Sequence, residues 1–179
     1  MLFRGKNATS RLQRSFTGAH YDHVGLLLKY SDGSIVLFEA TGTEGVGLVT
    51  WSRFLKNRWN LLYHKLILRH LIYEREEPTF QENVETFVKR YLGNKYSVSP
   101  TKLLRAKSIL PGAKGAPADK DRTFFCSELV AAAYKDLGFL DPVKASSKYW
   151  PGSFAAKNRK FKLLDGALLA DELLIDFRI

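Results

Sequence analysis

The chain has 179 residues, 45% of them hydrophobic, which is the length of one domain and enough apolar material for a single core. Its uninterrupted apolar runs fall far short of the ~20 residues a helix needs to cross a bilayer, so a soluble protein is expected. A net charge of +10 and a pI near 9.7 invite a nucleic-acid or anionic-membrane partner, but the basic residues are dispersed and no motif for specific nucleic-acid recognition accompanies them.

Met1-Leu2-Phe3-Arg4-Gly5-Lys6 carries charges where a secretory signal would hold its apolar stretch, which makes a cytoplasmic location the default expectation. Strand-like residues begin almost at once, as in a compact protein or a domain cut from a longer chain. Asn7-Ala8-Thr9 matches a glycosylation sequon, which has no meaning without export. A single cysteine permits no internal disulfide and fits a reducing compartment.

Residues 21–29 form a short apolar run, followed by Ser31-Asp32-Gly33 and the β-branched and aromatic stretch 34–40, the pattern of a β-hairpin. Gly42, Gly45 and Gly47 predict a loop, and residues 50–56 a helical turn or two. The apolar stretch 61–73 predicts a strand or a pair of strands, with His64 and His70 as satisfied residues on a sheet face. His20 reads as a surface-loop residue or part of a cleft.

The clearest helix lies over 79–92, with Thr79 and Glu82 as a capping box, Phe80, Val84, Phe87, Val88 and Tyr91 on one face, and Gly93 as its stop. Pro111-Gly112 and Gly115-Ala116-Pro117 predict an exposed, mobile loop over 107–122. A second helix is predicted from Cys126 to Leu137, with Leu129, Val130, Ala133 and Leu137 as its apolar face and Gly138 as its end. Tyr149-Trp150-Pro151 reads as a packing corner or the rim of a groove, and residues 173–179 as a last strand. The denser basic groups, Arg53-Lys56-Arg58 and Lys157-Arg159-Lys160-Lys162, read as solvated faces.

Cys126 therefore opens a helix, where unpaired backbone N–H groups and the positive end of the macrodipole favour an anionic sulfur. The bland alternative is a small buried hydrophobe. Ala131, Ala132 and Ala133 would let that helix lie close against a sheet. One cysteine and scattered histidines lack metal-ligand spacing, so neither a metal nor a cofactor is implied.

The hairpin fixes what can stand beside His23. If Ser31-Asp32-Gly33 is a three-residue loop with Gly33 left-handed, Tyr30 pairs with Ser34 and Gly25 falls opposite Glu39. His23 then faces Thr41, with Glu39 diagonally adjacent on the same face, ~7–8 Å away between backbones. A two-residue loop at Asp32-Gly33 would put His23 and Glu39 on opposite faces and leave Thr41 as the alternative orienting residue.

His23-Val24-Gly25 opening one strand, Glu39-Ala40 ending the next, and Phe125-Cys126-Ser127-Glu128-Leu129-Val130 opening a helix resemble the permuted branch of the NlpC-type, papain-like cysteine peptidases, nearest the YiiX-like amidases. In that branch the histidine strand precedes the cysteine helix, the reverse of ordinary papain order. The resemblance spans residues 2–140 and implies an α+β, circularly permuted papain-like fold, read as one catalytic domain over 1–179. It makes Cys126 the nucleophile, His23 the general base and Glu39 the orienting residue. Tyr91-Leu92-Gly93-Asn94-Lys95-Tyr96 resembles the family's Leu-Gly-x-x-Tyr stretch, which makes Tyr96 a candidate to bind the oxyanion or orient substrate, against a plain packing role. The 107–122 loop is longer than the family's usual spacing.

The implied chemistry is acyl transfer through a thioester, first as an amidase or peptidase. A lipid acyltransferase or thioesterase of the same fold is the catalytic rival, and a catalytically silent binding module the non-enzymatic one. Expected partners are a peptide, an amide-linked or a lipid acyl substrate, with an anionic membrane surface compatible with the charge.

Overall fold

The computed structural model describes residues 1–42, 44–74, 78–95 and 125–177. Two antiparallel ladders meet along one extended segment that is interrupted at Gly25. Before the interruption, β2 (His23–Val24) pairs with β1 (Leu2–Gly5), which pairs in turn with β6 (Tyr63–Leu68) and through it with β9 (Leu173–Leu174). After it, β3 (Leu26–Lys29) pairs with β4 (Ile35–Thr41), which pairs with β5 (Gly45–Thr50). A short third ladder joins β7 (Leu71–Ile72) to β8 (Leu168–Leu169). With the helices below, the architecture is α+β.

The β3–β4 hairpin turns through Ser31-Asp32-Gly33. Gly33 has φ +82°, its N–H donates to Tyr30 O at 3.0 Å, and Tyr30 N–H donates to Ser34 O at 2.9 Å. The register Leu26↔Phe38 through Lys29↔Ile35 follows from this odd loop.

Residues 7–18 form a helix that no apolar stripe announces. α1 (Ala8–Thr17) leaves Leu12 69% exposed and is set instead by its ends. Asn7 Oδ1 caps it by accepting from Ser10 N–H at 2.7 Å, and Gly18 closes it at φ +65°. The asparagine of the sequon is thus a helix cap.

Thr50 Oγ1 caps α2 (Trp51–Lys56) through Arg53 N–H, and a 3₁₀ turn over Trp59–Leu62 leads into β6. α3 (Thr79–Tyr91) buries Phe87, Val88 and Tyr91. The expected Thr79–Glu82 capping box is absent, because Pro78 is the cap residue and Thr79 already lies inside the helix. Gly45 and Gly47 belong to β5 rather than to a loop. A Cβ on Gly45 would stand 2.4 Å from Asn94 O, so glycine lets the end of α3 close onto this strand. There Val46 N–H donates to Asn94 O at 2.8 Å and Gly93 N–H to Val46 O at 2.9 Å.

α4 (Cys126–Asp136) lies at the centre, with every residue over 126–134 buried instead of a single apolar stripe. One flank, with Cys126, Val130, Ala131 and Tyr134, joins a core with Leu2, Val24, Ile67 and Phe154. The other, with Leu129, Ala132 and Ala133, joins Phe38, Val46 and the buried face of α3. Three consecutive alanines allow both approaches, since larger side chains would hold the helix off one partner or the other. A third core of Phe3, Leu37, Phe54 and Leu66 fills the opposite side of the sheets.

Tyr149 and Phe154 stack at 6.1 Å with the Pro151–Phe154 3₁₀ turn between them, a packing corner. The final strand is only β9, and its two leucines are exposed. The basic groups of α2 and of residues 157–162 face solvent. Among the described residues no helix is long and apolar enough to cross a membrane.

Candidate active site

Cys126 is the first residue of α4, and its side of the helix docks against β2 and β4. Phe125 adopts an extended conformation, φ −80° and ψ 157°, and the first i to i−4 bond runs from Leu129 N–H to Phe125 O at 3.1 Å. The N–H groups of the first turn, that of Cys126 among them, consequently have no acceptor within the helix. Glu128 does not compete for them: it reaches back to accept from Phe125 N–H at 2.9 Å, the glutamate half of a capping box. The thiol is free and only 4% exposed.

His23 arrives from β2, registered on Phe3 of β1, with its ring 4.9 Å from the Phe3 ring. Its Nε2 lies 2.5 Å from Glu39 Oε2, and the Cys126 sulfur is near enough to act electrostatically on the imidazole. With Nε2 given to the carboxylate, Nδ1 is the ring nitrogen left for sulfur. Burial by itself would lower the imidazole's proton affinity. The Cys126 sulfur and then Glu39 outweigh it, and His23 is pushed up from 6.5 to about 10.

His23 and Glu39 do not share a sheet, contrary to the expected arrangement of one sheet carrying both. β2 belongs to the β1–β6 ladder and β4 to the hairpin ladder, and the break between β2 and β3 at Gly25 turns the imidazole across the seam. A side chain there would be crowded, because a Cβ would meet Leu37 Cδ1 at 2.9 Å and Glu39 Cβ at 3.2 Å. Glu39 itself is registered opposite Gly47, which keeps its other side unobstructed.

Thr41, the alternative orienter, is engaged elsewhere: its Oγ1 accepts from Glu44 N–H at 3.3 Å in the turn into β5. Tyr96 and residues 107–122 lie outside the described residues. His20 is exposed and lies 3.3 Å from Lys157 Nζ, while His64 and His70 are exposed. Among the described residues, no three metal-ligating side chains converge.

Several residues that shape the site have no signature in the sequence. Asp22, buried beside His23, accepts from Gly5 N–H with both carboxylate oxygens at 3.1 and 3.0 Å and pairs with Arg14 of α1. This ties β1 to the segment that delivers His23. Gln13 Nε2 adds a bond to Asp22 O at 3.1 Å. Tyr63 packs on the other side of Phe3 at 4.9 Å, and burial together with the charges of Glu39, Asp22 and Cys126 pushes its phenol well above the usual range. It therefore keeps its proton beside the site. An asparagine cap at 7 with a glycine at 18 was the available signal for the helix that supplies Arg14 and Gln13.

No family model, no curated protein and no solved structure matches this chain.

Proposed function

We propose that the chain is a cysteine-dependent acyl hydrolase with a permuted papain-like fold, acting on an amide or peptide bond through a thioester on Cys126. The observation that carries this reading is the series Cys126–His23–Glu39, in which an imidazole 2.5 Å from a carboxylate lies beside a buried thiol at a helix start. A buried cysteine that merely fills space needs no such partners.

The sulfur anion attacks the substrate carbonyl carbon while the carbonyl π pair moves to oxygen. The Cys126 N–H, which has no acceptor within the helix, is the donor that supports this step at the oxyanion. The imidazolium of His23 gives its proton to the leaving nitrogen as the C–N bond breaks, and an acyl-cysteine remains. Neutral His23 then takes a proton from water as the water attacks the thioester. The carboxylic acid leaves and the sulfur regains its ion-pair partner. Glu39 holds the ring orientation and the charge of the imidazolium throughout.

The same thioester serves a lipid acyltransferase or thioesterase, with the donor and acceptor alone changed. The test is incubation with peptide and phospholipid libraries followed by mass spectrometry of the peptide containing residue 126. An acyl adduct on Cys126 that disappears in His23→Ala is expected, and the acyl group identifies the substrate class. Absence of adduct and product across both libraries would remove the catalytic reading in favour of a binding module.

A further inference from the structure

A cavity of about 310 Å³ opens on the surface, and neither Cys126 nor His23 forms part of its wall. Arg4, Lys65, Lys157, His20, Tyr21 and Glu172 line it. Arg4 of β1 and Lys65 of β6 are direct partners in the strand register. Like charges so placed, with Cβ atoms ~4.5–5.5 Å apart, destabilise a sheet unless something lies between them.

The one carboxylate in the wall offsets only one of the cations. Glu172 Oε2 accepts from the Tyr21 hydroxyl at 2.5 Å and Oε1 from Ala156 N–H at 2.9 Å. The ion pairs among the described residues include neither Arg4, Lys65 nor Lys157. Lys157 Nζ faces the cavity beside His20 Nε2, 3.3 Å away. Asp22, next along the chain from Tyr21, is committed to Arg14 and Gly5 N–H. Three cations thus surround the concavity against one carboxylate, which its bonds to Tyr21 and Ala156 hold in place. Clefts lined with one sign of charge concentrate the opposite ion.

We infer that this cavity binds a phosphate dianion carried by a small molecule or a lipid headgroup. Two negative charges balance the surplus, and the guanidinium of Arg4 offers paired donors while the lysines supply point charges. The volume is at the lower end of the ~300–1,000 Å³ typical of small-molecule sites, enough for a phosphoryl group and the first atoms that bear it. This site is independent of the thiol chemistry proposed for Cys126.

The test is titration of the full chain with inorganic phosphate at pH 8, against chloride at matched ionic strength, followed by calorimetry and thermal unfolding. Saturable binding is expected in the parent and in Cys126→Ala. The pair Arg4→Gln with Lys65→Gln should weaken it at least about tenfold. Without phosphate that double variant should melt no lower than the parent, because the opposed charges are gone, and this separates a lost site from a lost fold. Exposed Lys157→Gln gives a second, single-site reduction. Vesicles of phosphatidylcholine with and without phosphatidic acid distinguish the sources. Capture that inorganic phosphate reverses marks a headgroup, whereas phosphate binding without capture marks a soluble ligand. A response no larger than that of chloride, or one undiminished in the double variant, overturns the inference.

Discussion

His23 Nε2 stands 2.5 Å from Glu39 Oε2 although the two residues belong to different hydrogen-bonded ladders. The contact exists because the strand that carries His23 leaves one sheet and enters the next at Gly25. That seam is also where the start of α4 is docked, so a sulfur, an imidazole and a carboxylate meet where three elements converge.

The protonation state of His23 is the first consequence. The folded imidazole titrates near 10, above its ordinary 6.5, so between those values the folded protein holds a proton that the unfolded chain has released. The stability this contributes is fully present below pH ~6.5 and is lost as the pH rises through ~10. Side-chain NMR of His23 should show imidazolium through neutral pH. In Cys126→Ala and in Glu39→Gln the midpoint should move down. A midpoint that stays in place in both variants would show that neither group sets it.

Alkylation of Cys126 by iodoacetamide reports the same pairing from the sulfur side. His23→Ala should slow it at least about tenfold at neutral pH, because the imidazolium no longer stabilises the anion. Rates equal to those of the parent would mean that His23 does not govern reactivity.

Glu39→Gln should lower acyl-cysteine formation at least about tenfold, since the amide cannot hold the charge of the imidazolium. Thr41→Ala, which removes only a turn contact, should leave the rate within about twofold. The reverse ranking would transfer the orienting role to Thr41.

Gly25→Ala places a methyl group 2.9 Å from Leu37 Cδ1 and 3.2 Å from Glu39 Cβ. Overpacking of this kind costs ~1–3 kcal/mol. Denaturant unfolding should show that loss, and the His23 titration should shift down as the seam opens. A stable variant with an unchanged titration would show that the seam can absorb a side chain.

Asp22→Ala leaves Arg14 without its buried partner and Gly5 N–H without its acceptor. Removing one member of a buried pair costs ~3–5 kcal/mol. Equilibrium unfolding measures the cost, and Arg14→Met with Asp22→Leu, which removes both charges, should recover part of it. If the single variant is as stable as the parent, the pair does not anchor β2.

The sequence by itself determined the local elements whose signals are local. The hairpin around Ser31-Asp32-Gly33 was legible with two registers open, between which the fold selected the three-residue loop, and Gly93 and Gly138 marked the ends of α3 and α4. Cys126 at a helix start was legible because Leu129, Val130, Ala133 and Leu137 form an apolar face that Gly138 ends. α1 was less legible, since its described inward contacts are polar ones from Gln13 and Arg14. The tertiary structure alone decided that His23 and Glu39 meet across two sheets, that Gly45 and Gly47 build a strand under α3, and that Arg4 and Lys65 stand side by side in the wall of a cavity. Each of these depends on which strands become neighbours. Periodicity shows which face of a strand is buried, but not the strand that comes to lie beside it or the turn that a single glycine allows.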